Sequence, residues 1–447
     1  MKHIHLIGIG GTGLSAIARL LKENGNTVTG SDMQPSPFVD DLREIGIPVY
    51  IRHKAEQIDG ADLIVRSSAI PNHNPEVVAA QEKGIPVYKR ADFLGSLMEN
   101  KIGIAVAGTH GKTSTTAMIA WTLTELGEDP SFIVGSTING MGVNAHAGKG
   151  KTFVIEADEY DRMFLGLKPT IGIVTNLEHD HPDIYPTAES FRQAFVDFIH
   201  LLPEDGTFVY CADDAGATDL VKDAKVESIG YSLENANVQP NTHGGFDFTF
   251  HASRNTHHVS LQVPGKHNVW NALAVMTVIA KLGLPLDKAA DALGRFTGTG
   301  RRFELVGEQN GIAVYDDYAH HPTEIRATLA AARARYPQAG IWAVWQPHTY
   351  SRTQLLFDEF AQAFGDADHV IATEIYKSRE PEQDFSSAQV VDAMDHPAAH
   401  FIADLDDVSA YLLENLRPND VLLVLSAGDA PQISASVLEG LKERLRR

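Results

Sequence analysis

Short apolar runs and helically spaced apolar positions alternate along most of the chain. His3–Ile9, Thr27–Gly30, Asp62–Ser67 and Ile85–Lys89 read as strands, with a helix over Gly13–Asn24 and helices of the Pro37–Ile45 and Pro75–Lys83 type between them. Such alternation predicts a mostly parallel sheet. A second unit opens with the apolar run Ile102–Ala107 and a helix over Thr113–Leu126. Strands at Thr152–Glu156 and Ile171–Thr175 and a β-rich stretch over Phe246–Val263 follow. His267–Leu282 places Ala272, Val275, Met276 and Ile279 on one helical face. Gly298-Thr-Gly-Arg-Arg302 reads as a hinge. Beyond it, strands Ala313–Asp316 and Ile341–Trp345 alternate with helices Thr323–Arg335 and Thr353–Phe364, and His369–Thr373, Ala410–Asn415 and Val421–Leu425 continue the pattern. The expected organisation is three α/β domains, 1–99, 100–299 and 300–447.

Size agrees, because 447 residues exceed what one ordinary core accommodates. A net charge of −21 argues against a nucleic-acid partner, which needs clustered positive charge. Cys211 is the single cysteine, so no intramolecular disulfide and no cysteine-rich metal site can form, and a reducing cytoplasm fits. The apolar Ile4–Ile9 superficially mimics a signal peptide, but Gly8, Gly10, Gly11 and Gly13 interrupt it. No apolar run reaches about 18 residues, so no membrane insertion is expected.

The chemistry concentrates where strands meet helices. Gly108-Thr109-His110-Gly111-Lys112-Thr113-Ser114 follows an apolar strand, so its backbone N–H groups can converge on a polyphosphate, with Lys112 as a point charge and Thr113 as a Mg²⁺ ligand. Its glycines are closer together than in the common GxxxxGK[ST] loop. Gly8-Ile-Gly10-Gly11-Thr-Gly13, with Asp32 beyond the second strand, is a dinucleotide-type fingerprint. It specifies a diphosphate at a helix N-terminus more firmly than it specifies NAD, and UDP satisfies the same donors. Glu156-Ala-Asp-Glu-Tyr-Asp161 after a strand suits a Walker-B-like metal ligand, against the alternative of a solvated acidic turn. In Asn176-Leu-Glu-His-Asp-His-Pro-Asp183 either His179 or His181 is placed to ligate a second cation. Asn268 and Asn271 share a helical face, where their amides can read an adenine edge while Asn268 also caps the helix. Arg301-Arg302, Asp316–Pro322 and Gln346–Arg352 bring cations and hydrogen-bond donors to strand ends of the third unit.

These motifs, in this order and nearly end to end, make the chain resemble a Mur ligase of the alanine-adding branch. The resemblance implies a Rossmann-like N-terminal domain, a central P-loop ATPase-like domain and a Rossmann-like C-terminal domain. It implies a UDP-sugar site of Gly8, Gly10, Gly11 and Gly13 at the diphosphate, Asp32 and His53 near uridine, and Ser67 and Arg90 as further contacts. ATP would bind through Gly108–Ser114, with Asn268 and Asn271 at adenine and Arg302 and Asp316 at phosphate and ribose. Thr113, Glu156 and His181 would hold two Mg²⁺ ions, for which Mn²⁺ can substitute. Tyr318, His320, His348 and Arg352 would form the amino-acid pocket, with Arg352 at the carboxylate. Lys112, Glu156, His181, His320 and Arg352 form the implied catalytic set.

The implied reaction joins L-alanine to the lactyl carboxylate of UDP-N-acetylmuramate through an acyl phosphate, for peptidoglycan synthesis in the cytoplasm, by a monomer or homodimer. A recycling ligase that attaches a ready-made tripeptide is the nearest alternative. A nicotinamide-dependent oxidoreductase, resting on Gly8–Gly13 and Asp32 alone, leaves the P-loop unexplained; a non-catalytic nucleotide-binding regulator leaves the acid, His and Arg groups without a role. Thr187–His200 contains no lysine, so the carbamylated lysine of other Mur branches is not expected. Thr349 stands where some members of the alanine-adding branch carry a second arginine.

Overall fold

A computed structural model describes residues 1–252 and 254–444. Ser253, inside the expected β-rich stretch, and residues 445–447, at the end of the third expected domain, lie outside the described residues. The first sheet has five parallel strands, β1 (His3–Ile7), β2 (Thr27–Asp32), β3 (Val49–Ile51), β4 (Leu63–Arg66) and β5 (Val87–Lys89), in the order β3-β2-β1-β4-β5. The order reverses at β1, whose C-terminal end carries the Gly8–Gly13 loop, and such switch points open a crevice for ligands.

The second sheet contains β6 (Ile102–Ala107), β7 (Ser131–Ile138), β8 (Val143–His146), β9 (Thr152–Glu156), β10 (Ile171–Val174), β11 (Thr207–Cys211) and β12 (Glu227–Tyr231). Its order is β12-β11-β10-β6-β9-β7-β8, parallel except for β8. The P-loop strand β6 is therefore central, flanked by β9 and β10, which carry the acidic and histidine motifs at their C-terminal ends. The expected β-rich stretch is a small antiparallel sheet of β13 (Gln239–Pro240), β14 (Phe246–Ala252) and β15 (Asn255–Ser260).

The third sheet comprises β16 (Glu304–Gln309), β17 (Ile312–Asp317), β18 (Ile341–Gln346), β19 (His369–Ala372), β20 (Ala399–Phe401) and β21 (Val421–Ser426), ordered β16-β17-β21-β18-β19-β20 with only β16 antiparallel. Its apolar strands are covered on both faces, as the continuous runs IWAVWQ and VLLVLS require.

Two expectations change. Thr353–Phe364 is not one helix but two short ones, Tyr350–Leu355 and Phe357–Ala361, separated at Leu356. The Glu380 carboxylate accepts from the backbone N–H groups of Tyr350 and Ser351, which starts the first helix three residues early. The Gly298–Gly300 segment is tied to the second sheet, since Asn139 N donates to Gly298 O and Gly300 N donates to Thr137 O. The turn into the third unit follows it, where Arg301 and Phe303 adopt positive φ of 55° and 48°.

Candidate active site

Two helices begin at glycines without a side-chain cap: Thr12–Glu23 after Gly11 and Lys112–Glu125 after Gly111. Their first N–H groups stay free for an anion, and the helix dipoles favour one there. Gly111 has φ 82°, and a Cβ on it would lie 2.7 Å from Asn271 Oδ1. A Cβ on Gly13 would collide with the Arg90 guanidinium, which therefore lies directly against the first helix start. Ser67 packs against Gly8 from the end of β4. Asp32 accepts from Gly10 N at 2.8 Å and so shapes the loop itself. His53 is drawn beneath it: Nδ1 lies 2.9 Å from Ser31 Oγ and 3.0 Å from the buried Glu76 carboxylate.

At the P-loop, the half-buried Lys112 ammonium donates to Thr109 O at 3.1 Å and to Glu159 at 3.0 Å. Burial works against its charge, but Glu159, Asp158 and Glu156 outweigh that and raise its pKa. The acidic run is thus offset by cations, Lys112 at Glu159 and Arg90 at 3.9 Å from Asp158. Thr113 Oγ1 donates to Glu156 Oε1 at 3.1 Å, and Glu156 Oε2 accepts from Gly135 N. Burial raises the Glu156 pKa, so this carboxylate gains from an added cation. His181, at φ 55°, brings Nε2 to 3.4 Å from Glu159. His179 instead donates to Tyr185 O and serves the loop.

Asn268 and Asn271 do share a face: Asn271 Nδ2 donates to Asn268 Oδ1 at 3.0 Å. The expected cap by Asn268 is absent, because the helix already begins at His267 with Lys266 in the N-cap position, and Asn268 Nδ2 donates backward to Pro264 O. Both amides line a cavity of about 390 Å³, with His110, Gly111, Thr113, Ser114, Asp213, Trp270, Arg302, Asp317 and Glu324. Asp316 does not face it. Strand alternation turns Asp316 toward Ser434 Oγ, to which it is hydrogen-bonded, and presents Asp317 to the cavity. Asp317 accepts from Phe303 N and Ala319 N, and burial pushes its pKa up to about 6.

A second cavity, about 630 Å³, runs from Gly13 and Arg90 past Thr113, Glu156 and Asp158 to Arg302 and Tyr318. Both volumes suit small-molecule ligands. Thr113 and Arg302 line both cavities and mark where they meet. The Tyr318 ring lies under Arg301 and Arg302, with guanidinium carbons 4.9 and 5.2 Å from its centroid. His320 sits 5.3 Å from that ring and 5.9 Å from His348. Arg352 Nη1 lies 3.2 Å from His348 Nδ1. Tyr318, His320, His348 and Arg352 are therefore one cluster. Burial, joined by nearby positive charge, lowers the pKa of His320 to about 3 and of His348 to about 4, so both stay neutral.

Three adjacent family models match in order: the Mur ligase family catalytic domain at residues 3–102, the Mur ligase middle domain at 106–279 and the Mur ligase glutamate ligase domain at 301–428. The UDP-N-acetylmuramate–L-alanine ligase of Rubrobacter xylanophilus is 42% identical over 445 residues, covering 98% of this chain and 100% of that protein. The chain belongs to the Mur ligase family. The crystal structure of the UDP-N-acetylmuramate–alanine ligase of Thermotoga maritima superposes with a TM-score of 0.83 at 30% identity over 100% of each chain. A murein peptide ligase from Psychrobacter arcticus superposes with a TM-score of 0.73 at 27% identity over 99% of each.

In this Mur ligase further side chains, not among those singled out from the sequence, border the same site. Asp180 accepts from Arg352 Nε at 3.0 Å and pairs with Nη2 at 2.9 Å, both side chains being buried. His110 bridges Glu178 of its own unit to Glu324 of the third, at 2.9 and 3.2 Å. Asp213 accepts from Trp270 Nε1 at the rim of the first cavity. Arg379 reaches over Tyr160 at 5.7 Å. Asp180 and Glu178 sit inside the motif already singled out; Glu324 and Arg379 carry no local signal and depend on how the third unit packs.

Proposed function

We propose that the chain joins L-alanine to the lactyl carboxylate of UDP-N-acetylmuramate, using ATP and releasing ADP and phosphate. One observation carries the reading: the cavity at the Gly13 helix start and the cavity at Asn268 and Asn271 meet at Thr113 and Arg302. A carboxylate on a sugar nucleotide and the terminal phosphate of ATP would face each other there. The names of the full-length relatives supply the substrates, and the Gly8–Gly13 loop, the P-loop and the third-unit cluster supply one binding region for each. In this division residues 1–99 hold the UDP sugar, 100–299 ATP and 300–447 the amino acid.

The lactyl carboxylate attacks the γ-phosphorus, the bond to the β-phosphate oxygen breaks and ADP leaves. The alanine amine then attacks the acyl carbon, a tetrahedral intermediate forms, and the carbon–oxygen bond to phosphate breaks. Lys112 and Arg302 stabilise charge on the transferring phosphoryl group, and positioning supplies most of the remaining acceleration. Neutral His320, whose Nδ1 donates to Tyr318 O, leaves Nε2 to accept a hydrogen bond from the incoming ammonium, while His348 Nδ1 accepts from Arg352. Arg352 would meet the alanine carboxylate, sharing its guanidinium with Asp180. Thr113 and Glu156 form an all-oxygen set that fits Mg²⁺, and His181 with Glu159 fits a second ion, where Mn²⁺ is better accommodated. When bound, these ions would neutralise and orient the polyphosphate.

The decisive assay is phosphate release with UDP-N-acetylmuramate and ATP against L-alanine, glycine, L-serine and the L-alanyl-γ-D-glutamyl-diaminopimelate tripeptide. Fastest release with L-alanine supports the proposal. Release with the tripeptide alone would transfer the chain to the recycling activity.

A further inference from the structure

A second set of donors lies between the P-loop and the third unit, apart from Thr113, Glu156 and His181. His110 Nε2 is 2.9 Å from Glu178 Oε2, and the His321 ring packs against that of His110 with centroids 4.8 Å apart. One ligand atom from each of His110, Glu178 and His321 can be chosen so that all lie within 4.8 Å of one another. Two imidazoles and one carboxylate suit a borderline cation such as Zn²⁺, whereas Mg²⁺ prefers oxygen alone.

The surroundings are those of a metal site as well. Glu324 Oε1 lies 3.2 Å from His110 Nδ1, the far nitrogen, where a carboxylate orients a ligating imidazole. Thr323 Oγ1 donates to both Glu178 oxygens at 3.0 and 3.1 Å and steadies the carboxylate. His321 is 1% exposed, yet its nitrogens are poorly satisfied. Among the described residues Nε2 has no hydrogen-bond partner, and Nδ1 accepts only a 3.3 Å bond from Thr323 N while lying 4.0 Å from Glu178. Buried polar atoms are rarely left so. His110 and Glu178 also line the nucleotide cavity, which leaves an open face for a further ligand.

We propose that His110, Glu178 and His321 bind one Zn²⁺-class cation that clamps the P-loop to the third unit at the mouth of the nucleotide cavity. The cation takes the place of the proton that His110 and Glu178 share, so one proton is released for each ion bound. A clamp across two units that must part to release product slows turnover, and Zn²⁺ acts as an inhibitor distinct from the ions that serve catalysis.

The test titrates the full chain, saturated with Mg²⁺ to fill the oxygen-rich site, with Co²⁺ as a spectroscopic probe and then with Zn²⁺ as competitor. One equivalent of Co²⁺ should give the intense visible bands of a low-coordinate nitrogen-containing site, and one equivalent of Zn²⁺ should abolish them. His321→Asn should lose the bands while keeping its place as a helix N-cap, since Asn is a good capping residue. Glu178→Gln provides an independent variant, and His181→Asn, which removes the nitrogen donor beside Glu159, should retain the bands. Zn²⁺ should inhibit His321→Asn at least about tenfold less potently than the unmodified chain. Absence of the bands at one equivalent, or their survival in both His321→Asn and Glu178→Gln, overturns the proposal.

Discussion

At the scale of single residues, charge and strand parity decide most outcomes. Lys112 is held protonated among three carboxylates and aimed into the P-loop. Replacing it with Ala removes a preorganised charge, which should cost roughly 3 kcal/mol, or about a hundredfold in kcat, in a phosphate-release assay. Activity within tenfold of the unmodified enzyme would refute the role. Asp316 and Asp317 look alike in sequence but face opposite sides of β17. Asp317→Ala should weaken ATP binding by about tenfold or more, and Asp316→Ala by less than about twofold, as measured by calorimetry. Asp180 is the buried partner of Arg352. Its removal leaves an unpaired buried guanidinium, so Asp180→Ala should lose about 3–5 kcal/mol of stability in denaturant unfolding.

At the scale of elements, the two glycine-started helices organise the site. Gly111→Ala places a side chain at φ 82° and 2.7 Å from Asn271 Oδ1, which also supports Asn268. ATP affinity should fall far more than UDP-sugar affinity in this variant, a contrast readable by titrating each ligand separately. Most of the elements that carry the site's motifs are legible in the sequence, but β7, which lines the second cavity, is not among them. The apolar run Ile102–Ala107 is β6 to the residue, Thr152–Glu156 is β9, and the helices after both glycine loops begin within one residue of expectation. Strong apolar periodicity and glycine punctuation are local signals. The short edge strand β3 and the antiparallel β8 carry no clear local pattern and depend on packing, whereas the helix Leu286–Gly294 has a readable apolar face of Ala289, Ala290, Ala292 and Leu293 that the sequence reading does not include. Thr353–Phe364 was misread because its start is set by Glu380, 30 residues from Tyr350.

At the scale of the molecule, three sheets meet around two joined cavities, and contacts between units hold them together. Arg352 with Asp180, His110 with Glu324, and Thr323 with Glu178 all cross from the second unit to the third. We expect these contacts to open for substrate entry and product release. Small-angle scattering should show a more compact chain with all ligands than with none, with the pivot at Arg301–Phe303. His110 makes closure depend on pH. Burial disfavours its charge, but the hydrogen bonds to Glu178 and Glu324 prevail and raise its pKa to about 9. The raised value means that the His110 contribution is complete below about pH 6.5 and fades as pH rises through about 9. The thermal midpoint should decline over that interval, and Glu324→Gln should flatten the decline.

The class of fold, the two glycine-rich loops at helix starts and the order of the motifs are all readable from the sequence, because each follows from spacing within a few residues. The sequence also placed Tyr318, His320, His348 and Arg352 in one list. Which oxygen or nitrogen each group meets is set by tertiary packing. It turns Asp317 rather than Asp316 to the cavity beside Asn268 and Asn271, pairs Arg352 with Asp180, and sets Glu324 and His321 against the Gly108–Ser114 loop. Those choices depend on strand parity and on contacts between units more than a hundred residues apart, where no local pattern carries the information.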